Sequence, residues 1–212
     1  MKTILAFGDS LTWGFEAGTF KRHAFEDRWP NALGAGLDGK ARVIAEGLNG
    51  RTTAYDDLTM SAEMNGARAL PMLLKTHEPL DLAIIMLGTN DLKFASRCRA
   101  FDASLGMGRL VEIVQKHPYN SNYAAPQVLI MSPPALCKTK DEFFNDLWGH
   151  AIAESNLFAK HYRRVAEEMG AHFFDACSVA KTDPTDGGHL DAKNTRAIGD
   201  ALVPVVKGIL SI

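Results

Sequence analysis

A serine near the start of the chain and a histidine near its end could together perform nucleophilic catalysis. Ser10 follows an apolar run and Gly8, where a strand would turn into a helix. A serine hydroxyl becomes a good nucleophile only when a base within hydrogen-bond reach takes its proton. His189 is the candidate base, because imidazole titrates near neutral pH and can return the proton to a leaving alkoxide. Asp186 precedes it by one turn and could accept the other imidazole N–H.

The negative charge created by such an attack needs hydrogen-bond donors, and three groups are candidates. They are the backbone N–H of Ser10, the backbone N–H of Gly50 and the side-chain amide of Asn90. Glycine suits this role because the missing Cβ lets a substrate approach its N–H closely. Structural roles are the alternatives for two of these residues. Gly50 could be an ordinary turn residue. Asn90 could be a turn residue or a helix cap, a role that Asp91 could also fill.

Two of these features have further structural interpretations. Asp186 and His189, with two glycines between them, could form a surface turn that has no chemical role. Asp9 stands beside the candidate nucleophile, and we interpret it as a structural residue whose carboxylate accepts bonds from turn amides. We expect His189, and not Asp9, to be the base.

Side chains next to the serine and the asparagine predict a pocket for an acyl or alcohol group. The substrate-binding candidates are Leu11, Trp13, Phe15 and Thr89. Core packing is the alternative for the two aromatic residues, since large rings bury much apolar area and often fill cores.

The elements that must position these residues can be predicted from periodicity. Short apolar runs predict strands, buried on both faces, at residues 3–7, 42–45, 82–87, 127–131 and 172–174. Helical periodicity predicts helices at residues 29–37, 65–75, 101–116, 141–169 and 192–210, the last with Asp191 as its N-cap. We expect Pro204 to kink or divide the last helix. Residues 16–28 fit neither period and predict a loop over the active-site face.

Alternating strands and helices imply parallel βαβ units. The predicted fold is therefore α/β: a three-layer α/β/α sandwich with a five-stranded parallel sheet in a flavodoxin-like arrangement, forming one domain over residues 1–212. Ser10, Gly50 and Asn90 follow the first three strands, so they should share the carboxyl edge of the sheet, where open α/β sheets bind ligands.

Four segments resemble the motifs of the SGNH family, also called GDSL hydrolases. The segments are Gly8-Asp9-Ser10-Leu11, Gly47-Leu48-Asn49-Gly50, Gly88-Thr89-Asn90-Asp91 and Asp186-Gly187-Gly188-His189. The letters of the family name match Ser10, Gly50, Asn90 and His189. The sequence is most similar to the subgroup of bacterial arylesterases and acyltransferases that also perform perhydrolysis.

This resemblance implies a serine esterase that hydrolyses short-chain aryl or alkyl esters through an acyl-enzyme intermediate, with acyl transfer as a side activity. It also implies the SGNH version of the flavodoxin-like fold, and homo-oligomers, octamers included. A carbohydrate deacetylase or a thioesterase on the same fold is the alternative. A non-catalytic ligand-binding module is a further one.

The composition and the net charge limit the classes of partner that we expect for this protein. A formal net charge of −2 gives no reason to expect nucleic acid or an anionic membrane. The apolar runs are too short to span a bilayer, and the N-terminal run lacks a cleavage segment, so we expect a cytoplasmic protein.

The three cysteines form no CxxC pair and predict buried free thiols. No histidine pair has ligand spacing, so we expect no metal and no cofactor. The expected partner is a small-molecule ester.

Overall fold

A computed structural model describes residues 1–93, 96 and 98–212. In this part of the chain five parallel strands form one sheet in the order β2-β1-β3-β4-β5. The strands are β1 (Lys2–Gly8), β2 (Ala41–Gly47), β3 (Leu82–Met86), β4 (Gln127–Ser132) and β5 (His172–Asp175). The predicted flavodoxin-like sheet is confirmed.

Helices cover both faces of the sheet. The α-helices are α1 (Ser10–Trp13), α2 (Trp29–Gly36), α3 (Gly66–His77), α4 (Ala100–Lys116), α5 (Glu142–Trp148), α6 (Ile152–Ser155), α7 (Phe158–Met169) and α8 (Ala192–Leu210). Short 3₁₀ helices span Phe25–Asp27, Thr89–Leu92, Gly149–Ala151 and Ala176–Ser178. Helices α2 and α8 pack together on one face, and α3, α4 and α7 form the layer on the other.

The two core layers follow from the alternation of side chains along each central strand. In β1, Leu5 and Phe7 join the layer under α3, α4 and α7, whereas Ile4 and Ala6 join the layer under α2 and α8. The predicted burial of both faces holds for β1, β3 and β4 but is wrong for β2 and β5. Those two strands lie at the edges of the sheet, a position that local periodicity does not reveal.

The helix predicted over residues 141–169 is wrong, because this segment forms α5, α6 and α7 with a 3₁₀ turn between the first two. Ser155 and Asn156 each donate a side-chain hydrogen bond of 2.7 Å to the carbonyl of Ile152. Such bonds compete with the backbone bonds that would continue a helix. Separate short helices that bury the same face produce the same periodicity as one long helix.

Pro204 does not divide α8, which runs unbroken from Ala192 to Leu210. The residue is exposed, so the carbonyl that loses its N–H partner can bind water. The three cysteines are free, as predicted, but none is fully buried and Cys177 is exposed. Within the described residues, no helix combines the length and the hydrophobicity needed to cross a bilayer.

Candidate active site

Ser10 is held at the carboxyl end of β1 by the turn that starts α1. Asp9 caps this short helix, and its carboxylate accepts a 3.0 Å hydrogen bond from the backbone N–H of Leu11. A Cβ at Gly8 would lie 2.0 Å from the hydroxyl oxygen of Thr12, so glycine is required at this point of the turn. The interpretation of Asp9 as an acceptor for turn amides is therefore confirmed.

His189 and Asp186 lie in the turn before α8. Asp186 Oδ1 accepts hydrogen bonds from the backbone N–H groups of Gly188 (3.0 Å) and His189 (2.9 Å). Asp186 Oδ2 lies 2.9 Å from His189 Nδ1. With Nδ1–H donating to Asp186, Nε2 is left to accept the proton of Ser10 Oγ, which lies 3.0 Å away. The three side chains thus form a continuous chain of hydrogen bonds, and all are buried.

The environment keeps Asp186 ionised. Burial opposes the charge, but the hydrogen bond and the charge of His189, together with the two backbone N–H groups, outweigh it and hold the pKa of Asp186 below its ordinary value. An ionised Asp186 fixes the imidazole tautomer and stabilises the imidazolium that forms when Nε2 takes a proton.

Aromatic rings enclose the imidazole of His189. Phe15 stacks on it at 4.1 Å between ring centroids. Trp148 and Phe144 present their rings nearly perpendicular to it, at 5.7 and 5.8 Å. A Cβ at Gly188 would lie 2.5 Å from the Trp148 ring, so a glycine there permits this close approach. The predicted loop at residues 16–28 lies beside the His189 turn, because His23 Nε2 is 3.0 Å from the carbonyl oxygen of Leu190, the residue after His189.

Two backbone N–H groups beside Ser10 Oγ are available to a ligand. Within the described residues, neither the N–H of Ser10 nor that of Gly50 donates to a protein acceptor. Gly50 has a φ of 92°, which is a left-handed conformation that favours glycine, and it lines the cavity described below. These are the properties expected of donors to an oxyanion.

Asn90 follows β3, and its side-chain amide is held from two sides. Its Nδ2 donates to Asp9 Oδ2 and to the carbonyl of Arg51, each over 3.2 Å. Asn90 also lines the same cavity as Ser10 and Gly50. Both of its bonds are long, so a stronger acceptor in the cavity could share an amide hydrogen. Sequence reasoning did not foresee that Asp9 orients Asn90.

Two fully buried carboxylates lie beneath this side of the site. Burial raises the pKa of Asp9 to about 6, although the Leu11 N–H and the charges of His189 and Arg51 oppose the shift. Burial also raises the pKa of Asp91 to about 7, against the hydrogen bonds from the N–H and the hydroxyl of Thr53. Asp91 is therefore a structural partner of the Thr53 loop.

A cavity of about 540 Å³ opens above Ser10. It is lined by Ser10, Phe15, Phe20, Asn49, Gly50, Asp57, Thr59, Met60, Asn90, Lys93, Phe143, Phe144, Asp146, Leu147, Trp148 and His189. We call the part around the imidazole (Phe15, Phe20, Phe144 and Trp148) the aromatic wall. We call the part beside Gly50 (Asp57, Thr59 and Lys93) the polar wall.

The polar wall contains an ion pair that is almost fully enclosed. Lys93 Nζ lies 2.9 Å from Asp57 Oδ2, and the two side chains are only 10% and 6% exposed. Burial opposes ionisation of Asp57, but hydrogen bonds from Thr59 and Lys93 outweigh it and hold the pKa of Asp57 below its ordinary value. Asp57 therefore stays ionised beside the cavity.

The structure places only one of the four predicted substrate-binding residues on the cavity. Phe15 lines it, but Leu11 packs in the core layer under α2 and α8. The guanidinium carbon of Arg22 lies 4.8 Å from the centre of the Trp13 ring, and Trp13 does not line the cavity. Thr89 is buried and does not line the cavity either. Neighbours in sequence on a helical turn point in different directions, which is why adjacency to Ser10 and Asn90 misled the prediction.

Sequence reasoning missed most of the cavity wall. Phe144 and Trp148 stand four residues apart on α5, and the pair stacks at 5.6 Å. That spacing was a detectable signal of one shared helix face. Lys93 and Asp57 carried no such signal, because they come from different loops. Among the described residues, no group of three or more His, Cys, Asp or Glu side chains could hold a metal ion.

Known proteins share both the sequence pattern and the fold. A model of the GDSL-like lipase/acylhydrolase family matches residues 6–198. A carbohydrate acetylesterase family member from Sinorhizobium meliloti is 50% identical over the whole of both chains, with a TM-score of 0.98. A putative arylesterase from Agrobacterium tumefaciens str. C58 is 51% identical over 99% of this chain and 100% of its own, with a TM-score of 0.94. The aryl esterase of M. smegmatis is 41% identical over the same shares, with a TM-score of 0.95. No curated protein matches the sequence.

Proposed function

The chain belongs to the GDSL-like lipase/acylhydrolase family and is a carboxylic ester hydrolase, and we propose that it cleaves short-chain esters through an acyl-enzyme on Ser10. The observation that carries this proposal is the hydrogen-bonded chain from Ser10 Oγ through His189 to Asp186. It supplies a nucleophile, a base and a group that orients the base, all beside a cavity.

The steps follow from the positions of these atoms. Ser10 Oγ attacks the ester carbonyl carbon while its proton passes to His189 Nε2, and the carbonyl oxygen becomes an oxyanion. The N–H groups of Ser10 and Gly50, with the amide of Asn90, bind that oxyanion. His189 then gives the proton to the alkoxide, the alcohol leaves, and the acyl group stays on Ser10. A water molecule then attacks the acyl-enzyme while His189 takes its proton. The bond between the acyl carbon and Ser10 Oγ breaks as His189 returns that proton to Oγ, and the carboxylic acid leaves.

The same geometry orients the two halves of the substrate. His189 Nε2 must reach the oxygen of the leaving alcohol, so the alcohol lies against the aromatic wall. The carbonyl oxygen faces Gly50 and Asn90, which leaves the polar wall for the acyl group. A long alkyl chain there would strip water from the Lys93–Asp57 pair without replacing its hydrogen bonds, which is costly. Short acyl groups on aryl or simple alkyl alcohols fit this arrangement.

Acyl transfer to an acceptor other than water belongs to the same proposal. The aromatic wall surrounds the position from which a second nucleophile must approach His189. An apolar wall there favours an organic alcohol over water for contact with the acyl-enzyme. Peroxide would give a peracid by the same step. The ratio of transfer to hydrolysis, measured with phenyl acetate and a range of alcohol concentrations, tests this activity.

Carbohydrate deacetylation is the second candidate, and two observations favour it. A relative of 50% identity is named as a carbohydrate acetylesterase family member. Asp57 and Asp146 line the cavity, and carboxylates accept hydrogen bonds from sugar hydroxyls. A comparison of kcat/KM for phenyl acetate and for acetylated sugars ranks the two candidates.

Mass spectrometry after reaction with diethyl 4-nitrophenyl phosphate tests the nucleophile. We expect one phosphoryl adduct per chain, on Ser10, and complete loss of esterase activity. Ser10→Ala should form no adduct and should lose about 10⁴-fold or more in kcat. Ser178→Ala, which changes an exposed serine, is the matched control and should behave as the wild type. An adduct elsewhere, or full activity in Ser10→Ala, would contradict the proposal.

A further inference from the structure

The Lys93–Asp57 pair lies next to the place where the acyl group must sit. Lys93 Nζ is 3.8 Å from the position that a Cβ on Gly50 would occupy. The same position lies 3.2 Å from Met60 Cε and from Met64 Sδ, and Gly50 and Lys93 both line the cavity. The N–H of the same glycine faces the carbonyl oxygen in the proposed function, so the atoms next to the carbonyl come close to Lys93.

Both carboxylate oxygens of Asp57 accept hydrogen bonds from protein groups, whereas Lys93 donates only to Asp57 among the described residues. Asp57 Oδ1 accepts from the N–H and the hydroxyl of Thr59, at 3.1 and 2.5 Å, and Oδ2 accepts from Lys93. An ammonium group carries three N–H donors, and no second acceptor for Lys93 Nζ occurs in the part of the chain that the structure describes. The polar wall therefore offers donors that its own residues do not use.

We propose that the Lys93–Asp57 pair is a specificity subsite that binds an oxygen atom carried by the acyl group of the substrate. This inference rests on the proposed esterase function and extends it to the acid half of the ester. The favoured acyl groups carry an ether or hydroxyl oxygen on the carbon next to the carbonyl. Lys93 donates to that oxygen, and Asp57 keeps the ammonium in place.

The pairing also decides which oxygen is favoured. A lone ammonium would attract carboxylates, but Asp57 already balances the charge of Lys93 at 2.9 Å. Bringing a further carboxylate into this enclosed site would require its desolvation with little net charge to compensate. An uncharged acceptor loses less hydration and still gains a charge-assisted hydrogen bond.

Two phenyl esters of equal length test the subsite. Methoxyacetate and butyrate differ only in an ether oxygen that replaces a methylene group, so the measured quantity is their ratio of kcat/KM. We expect Lys93→Met to lower this ratio about tenfold relative to the wild type, since one charge-assisted hydrogen bond is lost. The greater intrinsic reactivity of the methoxyacetate cancels when the two enzymes are compared.

Lys75→Met is the matched control, because it removes an exposed lysine that pairs with Glu78 at 2.6 Å and does not line the cavity, so the ratio should stay unchanged. Should Lys93→Met fail to fold, the double variant Asp57→Asn/Lys93→Met removes both charges together and serves the same comparison. An unchanged ratio in either folded variant overturns the subsite. The two proposals fail in different ways. If the kcat/KM ratio is unchanged but the enzyme is active and forms the phosphoryl adduct on Ser10, only the subsite is overturned. If no adduct forms on Ser10, the proposed function itself is overturned.

Discussion

The two walls of the cavity differ in chemistry although they face the same serine. The aromatic wall places Phe15, Phe144 and Trp148 around the imidazole of His189. The polar wall places a charged pair, Lys93 and Asp57, beside Gly50. Under the proposed function, this difference predicts that separate surfaces select the alcohol and the acid of the ester, one by shape and apolar contact and the other by hydrogen bonding.

Carboxylates near the two walls also differ in their titration. Asp186, behind the aromatic wall, has a lowered pKa because hydrogen bonds and the charge of His189 outweigh burial. Asp91, behind the polar wall, has a pKa raised to about 7 because burial outweighs its bonds to Thr53. Burial alone therefore does not decide the charge of a carboxylate in this site; the partner does.

Among the tests of the two walls, the largest expected effect comes from the oxyanion site next to the polar wall. Asn90→Ala should lower kcat by about 100- to 1,000-fold with a smaller change in KM, because the lost donor acts mainly on the transition state. Steady-state kinetics with phenyl acetate measures this. Asn65→Ala is the matched control, since Asn65 is a buried cap of α3 whose loss should reduce stability but not kcat. A kcat within threefold of the wild type in Asn90→Ala would remove Asn90 from the proposed trio.

A smaller effect should come from the rim of the aromatic wall. Phe20 lies 5.8 Å from Phe15 and 6.0 Å from Phe144, so Phe20→Leu should lower kcat/KM for phenyl acetate relative to ethyl acetate by about threefold. Phe25→Leu is the matched control, because the two phenylalanines are 68% and 67% exposed and Phe25 does not line the cavity. Equal ratios in the two variants would show that the aromatic wall does not select the alcohol.

A separate prediction concerns stability and follows from the raised pKa of Asp91. The pKa of Asp91 in the folded protein, about 7, exceeds the ordinary value of 3.8. The protonated carboxyl therefore stabilises the fold fully below pH 3.8, and this contribution is lost as the pH rises through 7. Wild type should therefore gain stability over Asp91→Asn when the pH falls from 8 to 5, by about 1.4 kcal/mol for each pH unit between 7 and 5. Urea unfolding at the two pH values measures this. A constant difference between the proteins would contradict the raised pKa.

Much of the fold was predictable because it depends on local patterns. Short continuous apolar runs identified all five strands, and the order of strands and helices implied the parallel sheet. Errors arose where a distant partner decides the outcome. The edge positions of β2 and β5 were not recognised, so both strands were wrongly predicted to be buried on both faces. Three helices were predicted as one, since burial of one face gives the same period in both cases. A homo-oligomer and a cytoplasmic location stay predictions of the sequence.

The sequence by itself determined the candidate reactive groups. Each of them lies in a short segment with its own turn chemistry: Ser10, Gly50, Asn90 and the Asp186–His189 turn. Their common position followed from parallel strands that end at one edge of a sheet. Only the tertiary structure decided what surrounds them. Lys93 meets Asp57, and Trp148 meets His189, through the packing of loops and helices that are far apart in the chain. Local periodicity reports which face of an element is buried, but not which distant element covers it.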